Sequence, residues 1–496
     1  MNKEKRGIMK KRLFLKKFYS ILITILFAST TLAGIGVQAV TKDSEDNIDL
    51  VVLFNDEKVD TQVKDFISKS GGKVVNTFSE VGGLEVQCKA DLIPEIQNYN
   101  TVNSLAPNHN IKAPEEKIIK FKDNKNLNKS LNKSISKADN EDSSESGSSD
   151  LYNLYQWDIK RVTNNGKSYD LSTGNHNVVV AIVDSGVKAD HPDLEENFMG
   201  GENLIPKGFN NDETETGDPN DIGDRLGHGT YVAGIIAANG RTKGVAPNIG
   251  FRSYRIFDSE GNTNATIASS AIIKATDDGA KVINLSMSGY DLKGKCYWTD
   301  PKTGVKYKLG DDMAEYELYK RAIKYAIKHN VTIVTAAGND GIDCGNTKKL
   351  TQYLNDQNGS KGFKYEGLTY EVPGSIDGVI NVSATGKTDE IAKYSNYGKN
   401  FIDITAPGGD SSETGSIFDM CLSTSVGDYW FVEGTSIAAP KVSAVAGLIL
   451  CKDSHLKPKE VAKLIYKTSE KLDGNKSKEY YGSGLVNAYN ALNTKK

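Results

Sequence analysis

The sequence predicts an α/β fold, a doubly wound and mostly parallel sheet, preceded by a small α+β domain. Three observations predict it. From Leu151 onward, continuous apolar runs of strand length alternate with helical stretches, as expected of strands covered on both faces by helices. Between Ala113 and Leu151 the composition shifts to Lys, Asn, Ser and acids, which divides the chain. Ahead of that break, about 65 residues alternate strand and helix patterns on a smaller scale. At 496 residues the chain is too long for one ordinary domain.

The first nineteen residues carry eight Lys or Arg against Glu4 alone. An apolar run from Phe18 to Gly36 follows, broken by Ser29, Thr30 and Thr31, and it ends in Val37-Gln38-Ala39 with small residues where a signal peptidase reads. Residues 1–39 are therefore expected to be a secretory signal peptide. The alternative, a membrane anchor, fits less well because the run is short and interrupted. No later stretch approaches transmembrane length, and Asn490 to Lys496 carries no apolar tail. A secreted protein is expected, with retention in the cell envelope left open and no stable membrane anchor. The 61 basic residues nearly balance the 64 acidic ones, which gives no reason to expect nucleic acid as a partner.

Residues 40–113 read as the small domain. Strand patterns cover Ile48–Phe54, Lys73–Phe78 and Leu84–Cys88, helical patterns cover Val59–Lys69 and Leu92–Tyr99, and an extended piece runs from Val102 to Ile111. Residues 114–150 read as a disordered, cleavable linker, almost free of large apolar side chains after Phe121. The linker contains no arginine, only lysines such as Lys129, Lys133 and Lys137.

Residues 151–496 hold the larger domain. Strand-like runs are Val178–Val183, Gly250–Phe257, Lys281–Leu285, Val331–Ala336, Val379–Ala384 and Phe401–Ile404; helical runs are Thr230–Ala238, Ile267–Thr276, Glu315–Lys328 and the stretch beginning at Ser436. Active sites in such sheets gather at the carboxyl ends of the strands. The chemically suggestive residues fall there. Ser436, in Gly434-Thr435-Ser436-Ile437-Ala438-Ala439-Pro440, opens a long apolar helix, where unpaired N–H groups and the helix dipole favour a developing oxyanion. Taken alone it is an ordinary N-cap.

A serine nucleophile needs a base, usually a histidine steadied by a carboxylate. Of six histidines, only His228 is bracketed by glycines at a helix start, in Gly227-His228-Gly229-Thr230. Asp184 directly follows an apolar strand and precedes the turn residues Ser185-Gly186. Asn339 closes another strand and carries an amide able to donate to an oxyanion. Each residue alone has an unremarkable reading as a turn or cap; four together, in the order Asp, His, Asn, Ser, do not.

Val183-Asp184-Ser185-Gly186-Val187, Gly227 to Gly234 and Gly434 to Pro440 resemble the three signature blocks of the subtilases, and Gly244-Val245-Ala246-Pro247, Ile283-Asn284-Leu285-Ser286 and Ala406-Pro407-Gly408 match between them. The resemblance implies a subtilisin-like fold and a serine endopeptidase in which Asp184 orients, His228 is general base then acid, Ser436 attacks, and Asn339 with the Ser436 N–H stabilises the oxyanion. It implies that the small domain is a propeptide acting as chaperone and temporary inhibitor, that Ser286-Met287-Ser288-Gly289 pairs with the substrate backbone, and that Ser288, where many subtilases have glycine, narrows the specificity pocket. No cofactor is implied for the chemistry. A structural calcium remains possible with Asp193 as a ligand, although Asn239 to Lys243 is shorter than the calcium loop of bacterial subtilisins.

Gln156-Trp157-Asp158-Ile159-Lys160, Thr163-Asn164-Asn165-Gly166, Gly338 to Asp343 and the insertion Tyr290 to Asp312 are similar to the lantibiotic leader peptidases within this family. That resemblance implies a bacteriocin precursor as substrate, cut after a basic residue; Asp340 and Asp343, near the expected rim of the specificity pocket, read either as partners for that cation or as plain solvated acids of a loop. A pocket of that kind requires any self-processing in the linker to use lysine. The alternatives are a broad-specificity extracellular subtilase and an inactive peptide-binding scaffold. A monomer is expected. Of the five cysteines, Cys296, Cys344, Cys421 and Cys451 allow three pairings, with Cys296 to Cys344 favoured.

Overall fold

The computed structural model describes residues 47–121, 150–310, 313–472 and 477–494. The expected signal peptide and most of the expected linker, with Lys129, Lys133 and Lys137, lie outside these residues.

The small N-terminal unit is an antiparallel sheet in the order β2-β3-β1-β4, from β1 (Asn47–Phe54), β2 (Lys73–Phe78), β3 (Gly83–Lys89) and β4 (Val102–Pro107). Helices α1 (Thr61–Lys69) and α2 (Ile93–Gln97) complete it. Asp60 fixes the start of α1 by accepting from the Gln62 N–H at 2.8 Å, which trims the helix two residues from the periodicity-based expectation. Leu50 to Phe54, Val63, Ile67, Leu84 and Val86 are all buried in its core.

Two further strands then leave this unit: β5 (Asn110–Lys112) and β6 (Lys117–Lys120). The second is a correction to the sequence reading, which placed these residues in a disordered linker. The tetrapeptide Lys117-Ile118-Ile119-Lys120 takes its order from pairing across the chain, and Ile119 packs against a small cluster with Met420, Leu422 and Phe431.

The larger unit is built on seven parallel strands. They are β7 (Val179–Asp184), β8 (Phe198–Asn203), β9 (Gly250–Arg255), β11 (Val282–Leu285), β14 (Thr332–Ala336), β16 (Val379–Thr385) and β17 (Ile404–Pro407), in the order β17-β16-β14-β11-β7-β9-β8. Strand β17 starts at the residue where the sequence reading ended it. Phe401 and Ile402 pack instead with Cys344 and Leu350 in a separate cluster, so their apolar character serves a different contact. One face of the sheet carries α5 (His228–Ala237) and α9 (Thr435–Lys452); α6 (Ala265–Asp277) and α7 (Ala314–Lys328) lie in the core that also holds the N-terminal unit.

The insertion forms a second sheet, β13-β12-β15, from β12 (Gly289–Thr299), β13 (Lys306–Gly310) and β15 (Phe363–Val372), with α8 (Thr347–Asn358) against it. Short strands β10 (Asn262–Asn264), β18 (Cys421–Thr424) and β19 (Tyr429–Glu433) border the cleft. All five cysteines are free thiols. The expected Cys296 to Cys344 bridge is absent because the two side chains sit in different apolar clusters.

Among the described residues, α9 is the one helix apolar and long enough to cross a membrane, yet it is a buried core helix. Its buried Lys441 forms an ion pair at 2.8 Å with Asp158 of α4 (Trp157–Thr163), α3 being Asp150–Tyr155; both partners are fully buried. Removing one partner strands the other charge in the core. Asp158→Ala is expected to lower the unfolding free energy by about 3–5 kcal/mol in urea denaturation, and Asp158→Leu with Lys441→Met to recover much of it.

Candidate active site

Asp184 is the last residue of β7, fully buried, and its Oδ1 accepts from the Ser185 N–H at 2.7 Å and lies 2.6 Å from His228 Nδ1. His228 opens α5. That helix start is held by Asp224, whose carboxylate accepts from the Gly227 N–H at 2.7 Å, from the Thr230 N–H and hydroxyl at 2.9 and 2.6 Å, and from the Ser185 hydroxyl at 2.8 Å. One carboxylate thus ties the helix that carries the imidazole to the turn that carries the acid. The glycine after His228 has a steric reason: a side chain at Gly229 would collide with the Gly186 carbonyl.

Ser436 is the second residue of α9 and fully buried. Pro440 has no N–H to give its carbonyl, four residues earlier, the usual helical hydrogen bond. The Ser286 hydroxyl donates there instead, at 3.2 Å. Ser286 therefore buttresses the serine turn from below, and Met287 points into the core. Asn339 follows β14, and its Oδ1 accepts from the Thr435 N–H at 2.9 Å and the Thr435 hydroxyl at 2.7 Å. Those two donors fix the amide, which also hydrogen-bonds the Glu116 side chain.

The structure places a further group here that the sequence reading did not single out. Strand β5 pairs antiparallel with β10, Asn110 opposite Asn264 and Lys112 opposite Asn262. Strand β6 pairs antiparallel with β19, Lys117 opposite Glu433 and Lys120 opposite Trp430. Between them the chain passes directly over Ser436. Glu116 accepts from the Ser436 hydroxyl with Oε1 and from the Tyr231 hydroxyl with Oε2, and Oε2 lies 3.8 Å from His228 Nε2. Gly434 makes room for it, since a side chain there would meet the Glu116 carboxylate.

Burial pushes the Glu116 carboxyl up to about 7, against the pull of His228 and the Tyr231 hydroxyl. Burial by itself would lower His228, but the carboxylates of Asp184 and Glu116 outweigh it and hold the imidazole up at about 9. Among the described residues His228 Nε2 has no hydrogen-bond partner, because the Glu116 carboxylate occupies the Ser436 hydroxyl.

Asp340 and Asp343, the acids considered for a substrate cation, each accept a hydrogen bond. The Tyr290 hydroxyl donates to Asp340 at 2.5 Å, and Asp343 accepts from the Gly345 N–H at 3.0 Å within its own turn. A different acid lies against Ser288. Glu371, near the end of β15 and opposite Tyr290 in register, is fully buried, with the Ser288 hydroxyl and the Gly374 N–H as its hydrogen-bonding neighbours. Burial pushes Glu371 well above the carboxylate range, and the nearby Asp340 and Asp291 carboxylates add to that. A glutamate inside a β-branched and aromatic strand carries no sequence signal of this placement; only the β12–β15 register brings it to Ser288.

Asp193 does not suit a calcium ion. Its carboxylate accepts from the Arg241 N–H at 3.1 Å and from the Thr242 N–H and hydroxyl at 2.8 and 2.6 Å, so donors already surround both oxygens. It braces the short loop that follows α5.

The sequence profile of the subtilase family (peptidase S8) matches residues 175–484. The chain belongs to the subtilase family. It is 36% identical over 370 residues to the epidermin leader peptide-processing serine protease of Staphylococcus epidermidis, covering 71% of this chain and 76% of that protein. It is also 36% identical over 339 residues to the nisin leader peptide-processing serine protease of Lactococcus lactis subsp. lactis, covering 65% of this chain and 47% of that one, so it spans about half the latter's length. Among solved structures, the epidermin leader peptide-processing protease of Staphylococcus aureus superposes with a TM-score of 0.71 at 28% identity, covering 91% of this chain and 100% of the other. The nisin leader peptidase of Lactococcus lactis gives 0.61 at 33%, covering 70% and 95%. This subtilase is a subtilisin-like serine endopeptidase, and these relatives place it among proteins similar to lantibiotic leader peptidases.

Proposed function

We propose that this subtilase removes the leader from a bacteriocin precursor by cutting after a basic residue, and that residues 47–120 hold it latent beforehand. One observation carries the reading: a stretch of peptide backbone already runs through the cleft, strand-paired on both sides of Ser436.

In the productive state the Ser436 hydroxyl attacks the scissile carbonyl carbon while His228 Nε2 takes its proton, and Asp184 on Nδ1 holds the tautomer and the imidazolium charge. The Asn339 amide and the Ser436 N–H receive the oxyanion. The imidazolium then protonates the departing amine, and water repeats the sequence on the acyl-enzyme. A substrate strand takes the place of Asn110–Lys112 along β10, and the backbone of Ser288-Gly289 lies alongside. Residues 1–39 act as the signal peptide that exports the protein, residues 40–113 as the propeptide domain, and 114–150 as the segment cleaved on activation.

Glu371 supports the basic specificity. Among the described residues no cation pairs with this buried carboxylate, and a Lys or Arg side chain reaching past Ser288 supplies the missing charge. Glu371→Gln is expected to lower kcat/KM for substrates with Arg or Lys before the scissile bond by roughly a hundredfold. Peptides with a neutral residue there should be affected little. Incubating the activated enzyme with a bacteriocin precursor and reading the products by mass spectrometry tests the whole reading: one cut, after Lys or Arg at the leader boundary, is expected. Many cuts, with equal digestion of casein, would favour a broad-specificity enzyme.

A further inference from the structure

The end of the parallel sheet opposite the catalytic cleft, where β16 begins and just before β17, carries a groove of about 970 Å³ between α7 and α10 (Pro458–Thr468). Each helix turns a similar face toward it. Helix α10 presents Lys459, Ala462, Lys463, Tyr466 and Lys467, and α7 presents Lys324, Ile327 and Lys328, with Val379 between them. These are helical i, i+3, i+4 spacings, so each helix offers an apolar stripe edged by ammonium groups about 6 Å apart.

Among the described residues, Lys459, Lys463 and Lys467 have no carboxylate partner, whereas Lys324 and Lys328 hold Glu57 of the N-terminal unit at 3.5 and 3.2 Å. A peptide carboxylate is thus already seated on one rim. The acids within the groove do not neutralise it. Asp377 is one exposed charge against five, and Asp403 is mostly buried, accepts from the Asn381 N–H at 2.9 Å and is pushed up by burial to about 6.

We propose that this groove binds an acidic amphipathic peptide segment, whose apolar stripe lies on Ile327, Ala462 and Tyr466 while Asp or Glu on its flanks meets the two lysine rows. Such a site would hold part of a peptide partner remote from the bond being cut.

The test uses the full chain and a fluorescein-labelled peptide about four helical turns long, with Leu at helical spacing and Glu on both sides. Saturable anisotropy is expected, weakened roughly tenfold by Lys459→Glu with Lys463→Glu and Lys467→Glu, while hydrolysis of a short chromogenic peptide is unchanged. The proposal is overturned if the labelled peptide does not bind, if a scrambled peptide of equal composition binds as well, or if inorganic polyphosphate or phosphatidylglycerol vesicles compete equally well, which would reduce the groove to a general cationic surface.

Discussion

Ser436→Ala abolishes peptide-bond hydrolysis, by about six orders of magnitude in kcat, on the scale set by the corresponding change in subtilisin. The geometry gives the reason. Asp184 holds His228, whose Nε2 faces the same Glu116 carboxylate that takes the Ser436 hydroxyl, and the hydroxyl of Ser286 is already committed to the Ser436 carbonyl, so it does not replace the nucleophile. Loss should appear in kcat with KM nearly unchanged. The purified variant should remain a single uncut chain and fail to react with a serine-directed fluorophosphonate. Residual turnover within tenfold of the parent would show that another residue attacks and would sink the assignment.

The second large effect is on latency and depends on pH. Glu116 stands near 4.5 when free and is raised to about 7 in the cleft, so seating it takes up a proton. His228, ordinarily near 6.5, is held at about 9, partly by the Glu116 carboxylate and more by Asp184, which stays when Glu116 leaves. Both shifts are upward. Each therefore favours the occupied cleft at low pH; the Glu116 contribution weakens as pH rises from 4.5 to 7, and the share of the His228 shift due to Glu116 fades as pH rises toward 9. A shift of that size in a buried acid corresponds to about 3 kcal/mol, or roughly a hundredfold in occupancy. Activation of the intact chain, followed as the onset of chromogenic peptide hydrolysis, should accelerate between pH 5 and 8 by about that factor. In Glu116→Gln, which cannot ionise, the acceleration should largely disappear. An unchanged pH profile in that variant would refute the role given to Glu116.

The placement of the proposed catalytic residues was legible because it rests on local sequence: Asp184 before a Ser-Gly turn, His228 between glycines, and Ser436 ahead of an apolar helix each declare a strand end or a helix start. The strands of the parallel sheet were legible for a similar reason, since a strand buried on both faces is apolar throughout. Phe401 and Ile402 mark the limit. Their pattern is that of a strand, but the cluster with Cys344 and Leu350 claims them. Asp340 and Asp343 show the same limit for polar groups. Nothing in their sequence neighbourhood announces the hydrogen bonds that the Tyr290 hydroxyl and the Gly345 N–H give them.

The amino-acid sequence by itself determined the family, the parallel α/β architecture and the four residues of the proposed catalytic machinery, because each depends on short-range patterns that survive without knowledge of the fold. Only the tertiary structure decided what surrounds them. Glu116 meets Ser436 across 320 positions of chain, and Glu371 meets Ser288 through the register of two long strands. Pairings that close such long loops are set by the packing of the whole molecule, so no local stretch of sequence encodes them.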